Sequence, residues 1–373
     1  MSTVKTNAIL DASGGNTATI NSMTPTADSL QGFRNRLINS DMRIDQRNAG
    51  ASVTPTSGQY TLDRWGSYVS QTSKLTVQRS TTAPVNFINS LLVTSSSSYS
   101  VLTGDFFTAH QFIEGFNVSD LAWGTANAKT VTLSFWVRSS LTGTFGGTLG
   151  NSAGTRSYPF TYTISSANTF EQKTITITGD TSGTWLTDNG IGLRVYFGLG
   201  VGATYSGTAG AWATGNLVSA TGAVSVVGTN GATWYITGVQ LEVGSVATPF
   251  ERRDYGRELM MCQRYFYKTS GSDVYSVLSA AGSASNTTNV VASVPTKVTM
   301  RSAPSFSSTG NLCVSSNNLN NIIAVTSIGT GSRNTAEIPL VSADVASGLT
   351  ASVFYVIYAN NSSTASLLLS SEL

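Results

Sequence analysis

From Trp234 to Lys268 the chain reads WYITGVQLEVGSVATPFERRDYGRELMMCQRYFYK, where the alternation of a strand gives way to the one convincing helical pattern in the sequence. Trp234, Ile236, Val239, Leu241 and Val243 nearly alternate around Gly238, a residue that can mark a bulge. After Phe250, Glu251, Arg252, Arg253, Asp254, Arg257, Glu258, Arg264 and Lys268 crowd eight charges into a short span of a chain that is 11% charged. Among them Tyr255, Leu259, Cys262 and Phe266 recur at steps of four, three and four, the spacing of a coiled-coil seam. The spacing predicts a linker helix over residues 251–268. A helix that short is marginal alone, because nucleation costs more than a few turns of hydrogen bonds return. Its stripe must be buried, either on the chain's own β domain or against sister chains around a shared axis.

The remaining sequence reads as strands and turns. Its 36 glycines and dense Ser and Thr replace the Leu, Glu and Lys of helical proteins, and β-branched residues suit a pleated surface while Gly supplies turns. A length of 373 residues favours two or three domains. The expected architecture is all-β: a jelly-roll β-sandwich, a short helix and a second, distal β-sandwich. The boundaries are an N-terminal segment over 1–38, the jelly roll over 39–250, the helix over 251–268 and the distal domain over 269–373. Residues 1–38 hold two short apolar patches around a turn, a hairpin too small to be stable without a host surface. Arg34, Arg36, Arg43 and Arg47 interleave with Leu37, Ile38, Met42 and Ile44. They form either a docking collar or an edge strand whose arginines pair with Asp41 and Asp45.

Charge and composition narrow the partners. A formal net charge of +2 gives no field that would attract nucleic acid or an anionic membrane. No apolar run is long enough to span a bilayer, and the polar opening has no secretion-signal pattern, so folding in cytoplasm is expected. Cys262 and Cys313 lack ligand spacing and read as free thiols. His110 is the single histidine, which excludes a multi-histidine metal site; its strand-like setting makes it structural or exposed. No metal or other cofactor is expected.

Several stretches carry a family resemblance. Leu37–Gln46 (LINSDMRIDQ), Tyr60–Trp65 (YTLDRW), Gln111–Gly115 (QFIEG), Lys129–Ser140 (KTVTLSFWVRSS), Thr169–Gly183 (TFEQKTITITGDTSG) and Thr237–Arg253 (TGVQLEVGSVATPFERR) occur in the order and spacing of bacteriophage tail fibre and receptor-binding proteins. The middle part of those proteins is a carbohydrate-binding-module-like jelly roll. The resemblance implies a homotrimer, an N-terminal segment that joins other virion tail or baseplate proteins, a distal part that meets the host surface, and location in the virion tail after assembly in host cytoplasm. It gives the helix stripe of Tyr255, Leu259, Cys262 and Phe266 a trimer seam to bury in.

Function then rests on sugar chemistry. A pyranose needs an aromatic face to stack on and amides or hydroxyls for its own hydroxyls. Tyr205, Trp212, Trp185 and Trp123 are the candidates in the first domain; Asn317, Asn318, Asn320, Asn360 and Tyr358 are those in the distal one, although Asn also favours plain turns. The Gly-rich runs Gly143–Gly154 and Gly198–Gly210 lack the ending of a phosphate cradle and read as mobile loops. Carboxylate pairs among Glu114, Asp120, Glu171, Asp180, Asp188 and Glu242 would be needed for glycoside hydrolysis, and no spacing selects one. The expectation is a non-catalytic fibre that attaches a virion to a host glycan; the alternatives are a purely structural virion protein and, least favoured, a glycan hydrolase.

Overall fold

The computed structural model describes residues 33–269, 271, 273–316 and 319–373. The hairpin expected near the N-terminus lies outside the described residues. By contacts the chain divides into two compact units. The first comprises the residues up to Arg43, Gly50–Thr61 and Trp65–Arg252; the second comprises Ile44–Ala49, Leu62–Arg64 and Arg253–Leu373.

The first unit is a two-sheet sandwich. Its strands are β1 (Gln59–Leu62), β2 (Trp65–Val69), β3 (Leu75–Ser80), β4 (Ser90–Ser95), β5 (Phe106–Glu114), β6 (Val131–Ser139), β7 (Gly143–Gly150), β8 (Arg156–Ile164), β9 (Glu171–Ile177), β10 (Ile191–Val201), β11 (Ser206–Gly207), β12 (Ala213–Thr214), β13 (Ser219–Ala220) and β14 (Thr233–Val243). One sheet runs β1-β2-β5-β10-β7-β8-β12 and the other β3-β4-β14-β6-β9, while β11 and β13 form a separate parallel pair. Between them, Phe197 meets Phe135 at 5.1 Å and Trp234 at 5.7 Å, and the Trp234 indole donates to the Tyr162 hydroxyl at 3.1 Å. Strand β6 shows why the sheets stack: Val131, Leu133, Phe135 and Val137 are fully buried, whereas Trp136 and Arg138 face outward and are half-buried.

Gly143–Gly150 is a central strand, not the mobile loop its glycines predict. A Cβ on Gly147 would sit 2.4 Å from the Phe160 ring, and one on Gly146 would sit 2.5 Å from the Ser219 hydroxyl. The glycines are there because large neighbours fill the space above the strand. Conversely, the apolar run Val224–Val227 is not a strand. Val226 and Val227 are buried in a loop whose N–H groups donate to the Leu199 carbonyl at 2.8 and 3.1 Å.

The arginine-rich stretch is not an edge strand, although one of its arginines does pair with Asp41. It is irregular chain anchored by side chains: Arg43 pairs with Asp41 at 2.5 Å, Arg36 with Asp120 at 2.8 Å, and Arg47 with Glu372 at 2.7 Å. Asp45 instead accepts the Asn48 N–H at 2.9 Å. Leu37, Ile38, Met42 and Ile44 are buried.

In the second unit the helix α1 spans Tyr255–Gln263, shorter than the expected 251–268. Asp254 caps it, accepting the Arg257 N–H at 2.8 Å. It stops because Phe266–Lys268 leave as strand β15 to pair with β23 (Ser366–Ser370). The expected seam is divided by this. Cys262 and Phe266 are buried inside the second unit, Tyr255 is 55% exposed and Leu259 is half-buried. Both cysteines are free and buried; burial raises the Cys262 thiol and pushes Cys313 up to about 11, so both stay protonated at neutral pH.

The distal fold also differs from the expected second sandwich. Strands β16 (Gly282–Ala284), β17 (Asn289–Ser293), β19 (Leu312–Ser315), β20 (Ile323–Thr330), β21 (Leu340–Val345) and β22 (Phe354–Ala359) close into a barrel in the order β16-β17-β21-β20-β19-β22, while β15, β23 and β18 (Ser305–Thr309) make a separate sheet. Closure depends on the short β16, which pairs with both β17 and β22. Its Gly-Ser-Ala sequence gives no strand signal. Gly282 is required because a Cβ there would lie 2.2 Å from the Val291 carbonyl oxygen.

Candidate functional site

Three of the four aromatic candidates in the sandwich come together. Trp123 follows the 3-10 turn Ser119–Leu121, Trp185 lies in the connection from β9 to β10, and Trp212 lies between β11 and β12. Trp123 and Trp185 meet edge to face at 4.8 Å, Trp123 and Trp212 at 5.3 Å, and Trp185 and Trp212 at 5.4 Å. Each ring presents an edge to the face of the next, the arrangement that the aromatic quadrupole favours. All three indole N–H groups are used internally, by the carbonyls of Lys129 (2.7 Å), Ser182 (3.0 Å) and Thr178 (2.8 Å). Polar edges are therefore satisfied, and what the group offers outward is ring surface.

The supporting shell is closely hydrogen-bonded. Arg156, at the start of β8, forms a two-pronged pair with Asp180 at 2.7 and 2.8 Å, and Asp180 also accepts the Ser182 N–H at 3.1 Å. The Gly124 N–H donates to the Asp180 carbonyl at 2.7 Å. Gly124 has φ +85°, and a Cβ there would lie 2.7 Å from the Gly183 carbonyl oxygen and 3.1 Å from the Trp185 ring, so glycine is what lets the two loops touch. Tyr158 adds a fourth ring, 5.3 Å from Trp212.

Beside Trp123 and Trp185 lies a cleft of about 300 Å³ with an apolar floor that includes Leu121 and Leu193 and a rim carrying the hydroxyls of Ser119, Thr125 and Thr187. No acidic or basic side chain lines it among the described residues. Apolar floor with neutral hydroxyls suits one face of a sugar ring and its equatorial hydroxyls.

The other candidates lie apart. Tyr205 ends the 3-10 turn Ala203–Tyr205 and packs edge-on against Phe106 at 5.1 Å. In the barrel, Asn360 and Asn311 line a polar surface cleft of about 490 Å³, with the Asn360 N–H donating to the Asn311 carbonyl at 2.9 Å. Asn320 is exposed outside that cleft, Tyr358 is buried on β22, and Asn317 and Asn318 lie outside the described residues. His110 stands on β5, buried and stacked between Tyr68 (4.6 Å) and Phe112 (4.5 Å).

The carboxylates considered for hydrolysis are engaged in structure. Asp180 holds Arg156, Glu171 holds Lys173 at 2.6 Å, Asp120 holds Arg36, and Glu242 accepts from Thr248 and Gln240 at 2.6 and 2.8 Å. Asp188 accepts the Gly190 N–H at 2.8 Å. Burial pushes the Glu171 carboxyl up, but the hydrogen bonds it accepts, from Lys173 foremost and from the Ser165 and Ser166 N–H groups, together outweigh this and hold it below its ordinary range. No group of three or more His, Cys, Asp or Glu side chains able to hold a metal ion occurs among the described residues. The sequence singled out the tryptophans one at a time but gave no sign of Tyr158 or of the Arg156 to Asp180 bridge, whose partners are 24 residues apart.

No family model matches this chain, and no curated protein matches it. Among solved structures it is similar to the enzymatically active domain of tailspike protein 4 of bacteriophage CBA120, at 14% identity and a TM-score of 0.32 over 57% of this chain and 22% of that one. It is also similar to a family 11 carbohydrate-binding module from Clostridium thermocellum in complex with a β-1,3-1,4-mixed-linked tetrasaccharide, at 12% identity and a TM-score of 0.28 over 54% of this chain and all of that one. A putative sugar binding protein from Bacteroides thetaiotaomicron gives 12% identity and a TM-score of 0.30 over 56% of this chain and all of that one. The chain thus spans about a fifth of the tailspike domain and the full length of the two smaller proteins.

Proposed function

We propose that this protein is a phage virion tail fibre component that attaches the particle to a host-surface glycan without cutting it. The observation that carries the sugar-binding part is the tryptophan group at one end of the sandwich: three rings locked edge to face, with N–H groups internally bonded and a neutral, hydroxyl-rimmed cleft beside them. A platform whose polar groups are already satisfied within the protein, and which loses little freedom on binding, is suited to stacking a sugar ring. The non-catalytic character is supported by the engagement of Asp180, Glu171, Asp120 and Glu242 in ion pairs and hydrogen bonds.

The tail-fibre and homotrimer parts rest on the sequence stretches from Leu37 to Arg253. Single sugar sites are weak, and three copies on one body raise avidity by about 10² to 10⁴ when geometry lets them engage together. Purified protein incubated with host cells and with isolated host polysaccharide tests the whole reading. Binding to both, with no new reducing ends, is expected. Release of reducing ends would replace attachment by hydrolysis, and silence on cells and polysaccharide would leave a purely structural virion role.

A further inference from the structure

Trp136 differs from the other five tryptophans of the chain in one chemical respect. The indole N–H groups of Trp65, Trp123, Trp185, Trp212 and Trp234 each donate to an oxygen of the protein. That of Trp136 has no acceptor among the described residues. Trp136 lies on the outer face of β6, in the other sheet from β10, whose Gly192 and Leu193 line the tryptophan cleft.

It forms the floor of a groove of about 440 Å³. Phe87 and Phe250 make the wall, edge to face at 5.2 Å, and Asn86, Gln172 and Arg252 line the rim. Strand β14 changes register between Thr237 and Gln240, and the bulge holds Gly238 at φ +59°. A Cβ there would lie 2.6 Å from the Phe87 ring and 3.2 Å from Trp136, so the wall can lean on the floor only over glycine.

Of two nearby cations, Arg252 lines the groove and Arg138 lies beyond its lining. The Arg252 guanidinium lies 4.8 Å over Phe87 and 5.7 Å over Phe250 and donates to the Asn86 carbonyl; its charge also reaches the Asp41 carboxyl, without a contact close enough for an ion pair among the described residues. Arg138 is two residues from Trp136 on the same face of β6, about 7 Å along the strand. It lies 5.0 Å over Tyr235 and 5.9 Å over Phe170, and its buried Nε has no hydrogen-bond acceptor among the described residues. No acidic side chain lines the groove among the described residues.

A guanidinium held over aromatic faces can still donate through the N–H groups it has not spent, and a carboxylate is the planar acceptor that matches its fork. The open ring stacks a sugar, while the indole N–H and the Gln172 and Asn86 amides serve its hydroxyls. We infer that this groove is a second saccharide site, selective for sugars that carry a carboxylate, such as uronic acids. It uses different residues from the tryptophan cleft and does not require that cleft to bind anything.

Titration calorimetry with tetragalacturonate and with neutral galactotetraose tests it on the full chain. Wild-type protein is expected to bind the acidic oligosaccharide at least about tenfold more tightly, with affinity falling as salt rises. Arg252→Gln and Arg138→Gln should each erase most of that preference, and Trp136→Phe should weaken binding through the lost N–H. Arg252→Gln alters an exposed rim residue, so it keeps the test open if Trp136 variants fold poorly. Equal binding of the two oligosaccharides, no binding of either, or indifference to Arg252→Gln would overturn the inference. Acidic binding lost in Trp185→Ala and kept in Arg252→Gln would overturn it too, while supporting the first cleft.

Discussion

The side-chain amide of Gln111 pairs with Ile38 as a backbone would: its oxygen accepts the Ile38 N–H at 2.8 Å and its NH₂ donates to the Ile38 carbonyl at 2.8 Å. Gln111 is on β5 and Ile38 belongs to irregular chain with no sheet partner, so one buried side chain supplies the missing ladder. Asn35 does the same on the other side, accepting the Leu241 N–H at 3.1 Å and donating to the Val239 carbonyl at 2.9 Å.

Gln111→Leu should therefore destabilise the sandwich by about 2–4 kcal/mol, because two buried backbone groups lose their partners at once. Urea unfolding followed by tryptophan emission checks it. A change below about 0.5 kcal/mol would mean that Ile38 finds other partners.

Gly147→Ala tests the reading of β7. The added methyl must displace the Phe160 ring and the Tyr196 carbonyl, each 2.4 Å away, and overpacking of this kind costs about 1–3 kcal/mol or more. The expected result is a lower thermal midpoint with the sandwich still assembled; an unchanged midpoint would mean that the strand accommodates a side chain.

Much of the sandwich was legible because its strands alternate. Val131 to Val137 and Trp234 to Leu241 declare a buried and an outer face in the sequence itself. Strand β7 was not legible, since glycines chosen by what sits above them look like loop glycines. The helix was half legible: its charges and cap were visible, but Phe266–Lys268 continue a heptad step and are captured by Ser370, Leu369 and Leu368, a pairing about a hundred residues away that no local pattern announces. The same holds for the tryptophan group, whose members were visible singly while their meeting depends on loop lengths and on Gly124.

Asp63, buried and accepting from the Gln46 backbone and side chain at 2.6 Å each, gives a pH prediction. Burial is the main cause that pushes its carboxyl up to about 6 from 3.8. A folded-state value above the unfolded one means the native state holds the proton more tightly, so stability falls as pH rises from about 4 to about 6 and the cost, about 3 kcal/mol, is complete above that. The urea midpoint of the wild type relative to Asp63→Asn, which cannot titrate, should rise on going from pH 7 to pH 4.5. A difference independent of pH would contradict the assignment.

Leu259→Asp addresses the proposed trimer. With Cys262 and Phe266 interior, Leu259 and the exposed Tyr255 are what the stripe leaves for a neighbour. A charge at a buried seam costs several kcal/mol unless paired, so light scattering should find a smaller species than the wild type. An unchanged mass would remove the helix from the assembly, and a monomeric wild type would remove the trimer.

The central claim is that sugar stacks at the tryptophan group, and Trp185→Ala probes it most directly because Trp185 lines the cleft and is half-buried. Calorimetric titration of neutral fragments of host-surface polysaccharide into wild type and variant is the measurement. The account predicts at least about a tenfold loss of affinity, in line with the energy of one lost aromatic platform, with the fold intact by circular dichroism. Undiminished binding by a folded Trp185→Ala protein would contradict it.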